Sequence, residues 1–388
     1  MAPLRIAVLA GEESGDQLGA DLVRALGAAS GREIELIGVG GPNLGALGLK
    51  TLFDPGEIAI MGISAVLRDL PRLTRRIGQT ARMIAAAAPD CLITIDSPEF
   101  NLRVSRKVRA ANPTIPIVKY VCPSVWAWRP GRAPAMRPYV DHVLCLLPFE
   151  PAALERLGGP HGTYVGHRMT HDAGLMAAAA AQASRIPAQG GQKTLVVLPG
   201  SRRAEVKALI GPFGEVVSIL AQRGHRLKLV LPTVPHVADL VAAETAGWAL
   251  RPEIVDDAAG KWRAFAGADA AIAASGTVSL ELALSRVPFV VCYKTDAISR
   301  MLLGMIKVWS ASLPNIIADR AIVPEFYDEA VRPQMLARYL EALLEDGPAR
   351  QAQLDGFADV AARMATERPS GEIAAAIVLQ EIERKRSA

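Results

Sequence analysis

Two junctions in the second half of the chain carry side chains suited to binding an anion. In the first, Leu195-Val196-Val197-Leu198 runs into Pro199-Gly200-Ser201-Arg202-Arg203-Ala204-Glu205. Gly200 lets the backbone approach a ligand, Ser201 can donate a hydrogen bond, and Arg202 can meet a diphosphate with paired donors. The second, Ala273-Ala274-Ser275-Gly276-Thr277-Val278-Ser279-Leu280-Glu281, repeats the pattern of strand, small-residue turn and helix. Gly276 and the hydroxyls of Ser275 and Thr277 stand where a diphosphate docks on a helix N-terminus. Glu281 follows Thr277 by one helical turn, so its carboxylate can accept hydrogen bonds from both hydroxyls of a ribose. A loop with a capping serine and an acid near a helix start are the plainer readings of each piece. Together the two turns and the spaced acid favour a nucleoside diphosphate. No GxxxxGK[ST] and no full GxGxxG occurs, which weighs against an ATPase or a dinucleotide enzyme.

The first half holds an acidic counterpart. Ile6-Ala7-Val8-Leu9-Ala10 leads into Gly11-Glu12-Glu13-Ser14-Gly15-Asp16, where acids suit hydroxyl groups or proton transfer. The apolar run Cys91–Ile95 ends in Asp96-Ser97-Pro98-Glu99-Phe100-Asn101. A carboxylate at the C-terminal end of a parallel strand lies in the ligand crevice of such folds, so Asp96 can take a proton from an attacking hydroxyl. An Asx turn before Pro98 is the alternative, and Glu12, Glu13 and Asp16 are rival bases. Two of the five tryptophans, Trp126 and Trp128, lie with Arg129 and Arg132 in a proline-bounded loop. A sugar or acyl chain can pack there and the arginines can hold a phosphate; a structural tryptophan corner is the plainer possibility. His167, His171 and Asp172 have a superficial metal-site spacing but lack the acid between the histidines of HExxH, and no metal is expected.

These residues need a frame. Apolar runs at 6–9, 36–39, 91–95, 117–121 and 143–147 alternate with amphipathic stretches, and the rhythm restarts at 195–198, 227–231, 270–274 and 289–293. That is the pattern of parallel α/β domains. Ser14 with Gln17 suggests a capped helix whose Leu18, Leu22 and Leu26 share a face. Ser370 with Ile373, Ile377 and Val378 suggests a capped final helix ending in a basic tail. The expected organisation is a Rossmann-like domain over 1–172 joined by the 370–388 helix, a connection over 173–192, and a second Rossmann-like domain over 193–369. Two such domains facing each other across a cleft describe the GT-B architecture of nucleotide-sugar transferases.

The 388 residues suffice for two cores, and the net charge of +4 does not mark a nucleic-acid binder. The four cysteines are scattered, without a CxxC pair, and are expected to be reduced. No signal-peptide shape and no spanning apolar run is present, so a cytoplasmic location is expected. Arg68, Arg72, Arg75, Arg76 and Arg82 punctuate the apolar 58–88 stretch, and Met301–Trp309 adds apolar bulk beside Arg300 and Lys307. Such mixtures can lie on anionic lipid, or can be the solvated faces of ordinary helices.

The chain resembles the lipid-A-disaccharide synthase family of Gram-negative bacteria. The resemblance rests on Ala10-Gly11-Glu12-x-Ser14-Gly15-Asp16, Ala59-Ile60-Met61-Gly62-Ile63, Ile95-Asp96-Ser97-Pro98-x-Phe100-Asn101 and Pro123-Ser124-Val125-Trp126-Ala127-Trp128-Arg129. It continues through Leu147-Pro148-Phe149-Glu150, Val165-Gly166-His167, Leu198-Pro199-Gly200-Ser201-Arg202, Ala274-Ser275-Gly276-Thr277 and Ser312-Leu313-Pro314-Asn315, almost end to end. Glu99, Cys122 and Arg168 depart from the usual Asp, Ser and Pro, and the first leaves Asp96 as the better base. The resemblance implies a GT-B fold and a metal- and cofactor-independent inverting transfer, with no nucleic acid involved. UDP-2,3-diacylglucosamine would be the donor and 2,3-diacylglucosamine 1-phosphate the acceptor, giving a β-1,6-linked disaccharide 1-phosphate and UDP. It also implies Asn315 and Glu325 near the nucleotide, and Gly11, Ser14, Asp16, Trp126 and Arg129 on the acceptor side. Peripheral contact with the inner membrane and a homodimer are part of the same expectation. Rival readings are a UDP-sugar 2-epimerase or another GT-B transferase, and a non-catalytic nucleotide-sugar or lipid binding protein.

Overall fold

The computed structural model describes residues 2–57, 70–185, 191–295 and 307–387. Among them the chain forms two all-parallel sheets, each in its own compact unit. Met1–Arg168 with Thr366–Ala388 makes the first unit and Met169–Ala365 the second. The strands of the first are β1 Leu4–Ala10, β2 Ile34–Val39, β3 Lys50–Thr51, β4 Cys91–Ile95, β5 Ile117–Tyr120, β6 His142–Cys145 and β7 His161–Tyr164. They lie in the order β3-β2-β1-β4-β5-β6-β7. The second sheet holds β8 Lys193–Leu198, β9 Leu227–Pro232, β10 Glu253–Val255, β11 Ala270–Ala274, β12 Phe289–Tyr293 and β13 Glu325–Tyr327, in the order β10-β9-β8-β11-β12-β13.

Both sheets therefore wind outward from a central pair, β1 with β4 and β8 with β11. The chain direction across the sheet reverses between those two strands, and ligands of doubly wound folds bind just beyond their carboxyl ends. The four motifs with chemical potential sit there: Gly11 and Asp96 follow β1 and β4, and Gly200 and Gly276 follow β8 and β11. Each central strand is buried on both faces, which is why it is a continuous apolar run rather than an alternating one.

The Glu13–Ser30 helix buries Leu18, Leu22 and Leu26 against Ala374, Ile377, Val378 and Ile382 of the Ser370–Arg386 helix, so the chain's end completes the first core. His142 fastens this joint, its ring nitrogens lying 3.1 Å from Glu381 and 2.9 Å from Thr163. Both expected caps differ from the structure. Glu12 occupies the first N-cap in extended conformation, two residues before Ser14, and Ser14 is exposed in the first turn. Pro369 occupies the cap of the final helix and Ser370 is buried inside it.

The Ala173–Ala183 helix is capped by Asp172 and packs in the second unit, where the Gln182 amide donates to the carbonyls of Phe265 (2.7 Å) and Ala268 (2.8 Å). All four cysteines are buried free thiols. Of the basic 58–88 stretch, residues 58–69 lie outside the described residues. In the Leu70–Ala87 helix, Arg76 pairs with Glu57 at 2.9 Å and lies over the Phe53 ring, while Arg72 reaches the same acid at 3.1 Å. Residues 301–306 of the second stretch are also outside the described residues. No helix among those described is long and apolar enough to cross a membrane.

Candidate active site

In the second unit a cavity of about 350 Å³ opens at the carboxyl ends of β8 and β11. Gly200, Ser201, Arg202, Ser275, Gly276, Thr277 and Glu281 all line it, so seven of the nine residues expected on the nucleotide side are brought together.

The two turns are not equivalent. At Gly200, φ is +117°, and a Cβ there would come within 2.7 Å of the Glu205 Cβ. The turn needs glycine because the Glu205 side chain folds back over it. Its carboxylate accepts from the N–H groups of Ser201 (3.2 Å) and Arg202 (3.3 Å) and from the Arg202 guanidinium (2.9 Å). The amides that sequence alone offers to a phosphate at this turn are therefore taken by Glu205. The Arg202 side chain remains largely exposed and keeps further donors. At the second turn Ser275 donates to the Ala311 carbonyl at 2.9 Å. The N–H groups of Gly276, Thr277 and Val278 have no backbone or side-chain acceptor among the described residues, and a Cβ on Gly276 would meet nothing within 4 Å. These open donors lie at the N-terminal end of the Thr277–Leu284 helix, with its dipole behind them, an arrangement chemically suited to an anion.

Glu281 lies on the cavity wall one turn further on, and Lys261 meets it there. The Lys261 ammonium donates to both Glu281 carboxylate oxygens at 3.0 Å and lies 4.2 Å from the Trp262 ring centroid. Lys261 sits mid-helix in a stretch without turn chemistry, so no local signal marks it. Thr233 and Val234 also line the cavity. They follow β9 in Pro232-Thr233-Val234-Pro235, a third strand end running into a helix with Pro at its first position, and that signal was available in the sequence.

Asn315 and Glu325 are not on the cavity wall. The buried Asn315 amide donates to Val323 O and Glu325 and accepts from the Ile322 and Val323 N–H groups, all at 2.8–2.9 Å. Glu325 in turn accepts from the Ala311 N–H at 2.9 Å and from the hydroxyls of Ser310 and Tyr327. Both polar atoms of the Asn315 side chain are thus used internally. The pair holds the 310–312 loop, whose Ala311 carbonyl carries Ser275, and acts on the cavity through that loop.

In the first unit, Asp96 follows β4 with φ +47°, and Ser97 follows with φ +39°, two consecutive left-handed residues that are not glycine. The Asp96 carbonyl accepts from Lys119 Nζ (2.6 Å) and Asn101 Nδ2 (2.9 Å), while its half-buried carboxylate takes no hydrogen bond among the described residues. Burial lowers the Lys119 ammonium to about 8. Glu99 is in a different state: Arg103 (3.4 Å), Arg129 (2.9 Å) and Arg132 all pair with it. The Arg129 guanidinium also lies 4.3 Å from the Trp128 ring centroid. Glu99 is thus engaged by three guanidiniums, whereas the Asp96 carboxylate takes no hydrogen bond among the described residues.

Of the remaining acceptor-side residues, Gly11 is buried at the end of β1 and Ser14 is exposed beside it. Asp16 is buried, and its two oxygens accept from the N–H groups of Gly41 (2.7 Å), Asn43 (2.8 Å) and Leu44 (3.2 Å) and from the Asn43 amide (2.9 Å). It clamps the turn after β2. Trp126 donates its indole N–H to the buried Glu150 at 3.0 Å and meets the Phe149 ring edge-on. Desolvation raises Glu150 to about 7, even though it also accepts from the Leu146 and Leu147 N–H groups.

A family model for lipid-A-disaccharide synthetase matches residues 6–378. The chain belongs to the lipid-A-disaccharide synthase family. A lipid-A-disaccharide synthase of Rhodopseudomonas palustris strain HaA2 is 48% identical over 379 residues, 97% of this chain and 95% of that protein. One of Nitrobacter winogradskyi is 45% identical over 385 residues, 99% and 97% of the two chains. Members of this synthase family are hexosyltransferases that form the lipid A disaccharide, and the GT-B expectation holds. Acinetobacter baumannii MurG superposes with a TM-score of 0.61 at 13% identity over 98% of this chain and 100% of that one. A Staphylococcus aureus MnaA–UDP co-structure gives 0.59 at 14% identity, over 99% and 97%. At these identities the likeness is one of fold.

Proposed function

We propose that this synthase-family enzyme joins UDP-2,3-diacylglucosamine to 2,3-diacylglucosamine 1-phosphate with inversion, giving the β-1,6-linked disaccharide 1-phosphate and UDP. The convergence of seven nucleotide-side residues on one cavity in the second unit carries the reading. The open N–H groups after β11 would receive the diphosphate, with Arg202 from the facing turn, and Glu281 would hold the ribose hydroxyls. A UDP complex of the similarly folded MnaA supports a uridine nucleotide as the ligand class.

In the reaction the acceptor 6-hydroxyl oxygen forms a bond to the donor anomeric carbon as the bond from that carbon to the diphosphate oxygen breaks. Asp96 takes the hydroxyl proton. Negative charge grows on the departing diphosphate, where Arg202 and the Gly276–Val278 amides stabilise it without reorganising. The basic cluster of Arg103, Arg129 and Arg132 carries two charges beyond that of Glu99 and suits the acceptor's phosphate. Both substrates carry acyl chains, so peripheral contact with the inner membrane belongs to the same proposal, as does a homodimer. The test is Asp96→Asn. The variant is expected to bind UDP as the wild type does and to lose turnover by at least about a hundredfold; a folded, UDP-binding variant that turns over at the wild-type rate removes Asp96 as the base.

A further inference from the structure

Lys119 is a fully buried lysine on β5, an interior strand of the first sheet, and among the described residues it pairs with no carboxylate. Its ammonium is held by three carbonyl groups instead: Asp96 at 2.6 Å, Tyr120 at 3.2 Å and Thr94 at 3.4 Å. Burying a charge without a counter-ion opposes folding, and an apolar side chain of the same length would fill a strand interior at less cost. The position of the charge explains its presence. The carbonyl ends of β4 and β5 converge there, just where the backbone turns left-handed at Asp96 and Ser97. Side chains other than glycine are held in that region only where surrounding contacts fix them, and such strain gathers at functional sites. Asn101, donating to the carbonyls of Ile95 and Asp96 at 2.9 Å each, is the second restraint.

We propose that Lys119 is a positioning residue for Asp96: its ammonium grips the Asp96 carbonyl and fixes the left-handed turn that keeps the Asp96 carboxylate out of local hydrogen bonds and available to the acceptor hydroxyl. The proposal rests on the reading of Asp96 as the base. The ammonium does not touch the reacting atoms; it acts through one peptide group. It is also titratable. The Asp96 carboxylate and the Cys122 thiol favour its charged form, the Arg132 guanidinium opposes it, and burial outweighs both, so it loses its proton at about 8. A neutral amine grips a carbonyl less strongly than an ammonium, so turnover falls as pH rises through that value.

The experiment compares wild type, Lys119→Met, Lys119→Gln and Asp96→Asn in the full-length protein, with kcat and KM for both substrates from pH 6 to 10. For Lys119→Met, kcat is expected to fall at least tenfold with both KM values within about twofold, and the alkaline fall of kcat near pH 8 disappears. Lys119→Gln, which keeps a donor without the charge, recovers part of the loss and likewise shows no alkaline fall. A folded Lys119→Met with wild-type kcat, or a wild-type kcat that stays level from pH 7 to 9.5, overturns the proposal. The second arm decides even where neither Lys119 variant folds. Should Asp96→Asn keep wild-type turnover, the base assignment fails first; with that variant inactive and Lys119→Met fully active, only the positioning role fails.

Discussion

Lys261 holds both carboxylate oxygens of Glu281 at 3.0 Å on the wall of the second unit's cavity. The pair is part-buried, with 27% and 19% of the two side chains exposed. It fixes the carboxylate proposed to hold the ribose hydroxyls. Hydrogen bonds to charged groups contribute about 1.5–3 kcal/mol, reduced here by solvent access to about 1–2 kcal/mol. Lys261→Ala is therefore expected to weaken UDP binding roughly tenfold by calorimetric titration, with a matching rise in donor KM. Unchanged UDP affinity would show that Glu281 does not need its partner.

Gly200→Ala tests the capped turn. The substitution places a Cβ at φ +117° and within 2.7 Å of Glu205. About 1–3 kcal/mol of strain is expected, seen as a lower melting temperature and weaker UDP binding. Gly276→Ala has room around its Cβ, so its loss is expected mainly in affinity.

Arg129→Ala tests the acceptor side. Arg103 and Arg132 still neutralise Glu99, so the fold is expected to tolerate the change. The acceptor KM should rise several-fold, more steeply at low salt, while UDP affinity stays constant. Equal effects on both substrates would place the cluster elsewhere in the reaction.

Two groups of the first unit, the buried Glu150 and the half-buried His167, give opposite pH dependences of stability. Glu150 titrates at about 7 in the fold against 4.5 for an unperturbed glutamate, so its contribution is full below pH 4.5 and is lost as pH rises through about 7. His167 titrates at about 4 against 6.5, lowered first by burial and then by Arg168, so its contribution is full above pH 6.5 and is lost as pH falls through about 4. Each amounts to on the order of 3 kcal/mol over overlapping windows, and the two nearly cancel. His167→Gln should make stability fall from pH 4.5 to 6.5, and Glu150→Gln should make it rise, in denaturant titrations across that range.

All nine apolar runs in the sequence are strands of the two sheets, because central parallel strands are buried on both faces and cannot alternate. The four strands that no run marks, Lys50–Thr51, His161–Tyr164, Glu253–Val255 and Glu325–Tyr327, are the four sheet edges. An edge strand has solvent on one side and can be short and polar, so its composition carries no signal. The site divides in a similar way. The places of Gly200, Gly276 and Asp96 at strand ends were legible because turns after strands demand particular residue types. Lys119, Lys261 and Asn315 were not, because their roles depend on partners that the fold supplies: three carbonyls, Glu281 and the Val323–Glu325 segment. Asp16 and Trp126 have local patterns that suit a ligand, yet the fold engages the whole Asp16 carboxylate and the Trp126 indole N–H internally.

The most direct measurement supplies purified protein with UDP-2,3-diacylglucosamine and 2,3-diacylglucosamine 1-phosphate and follows both products by mass spectrometry. UDP and a β-1,6-linked disaccharide 1-phosphate are expected in equal amounts, with no UDP released when the acceptor is omitted. Release of UDP with free sugar, or no product from either substrate, would contradict the proposed reaction.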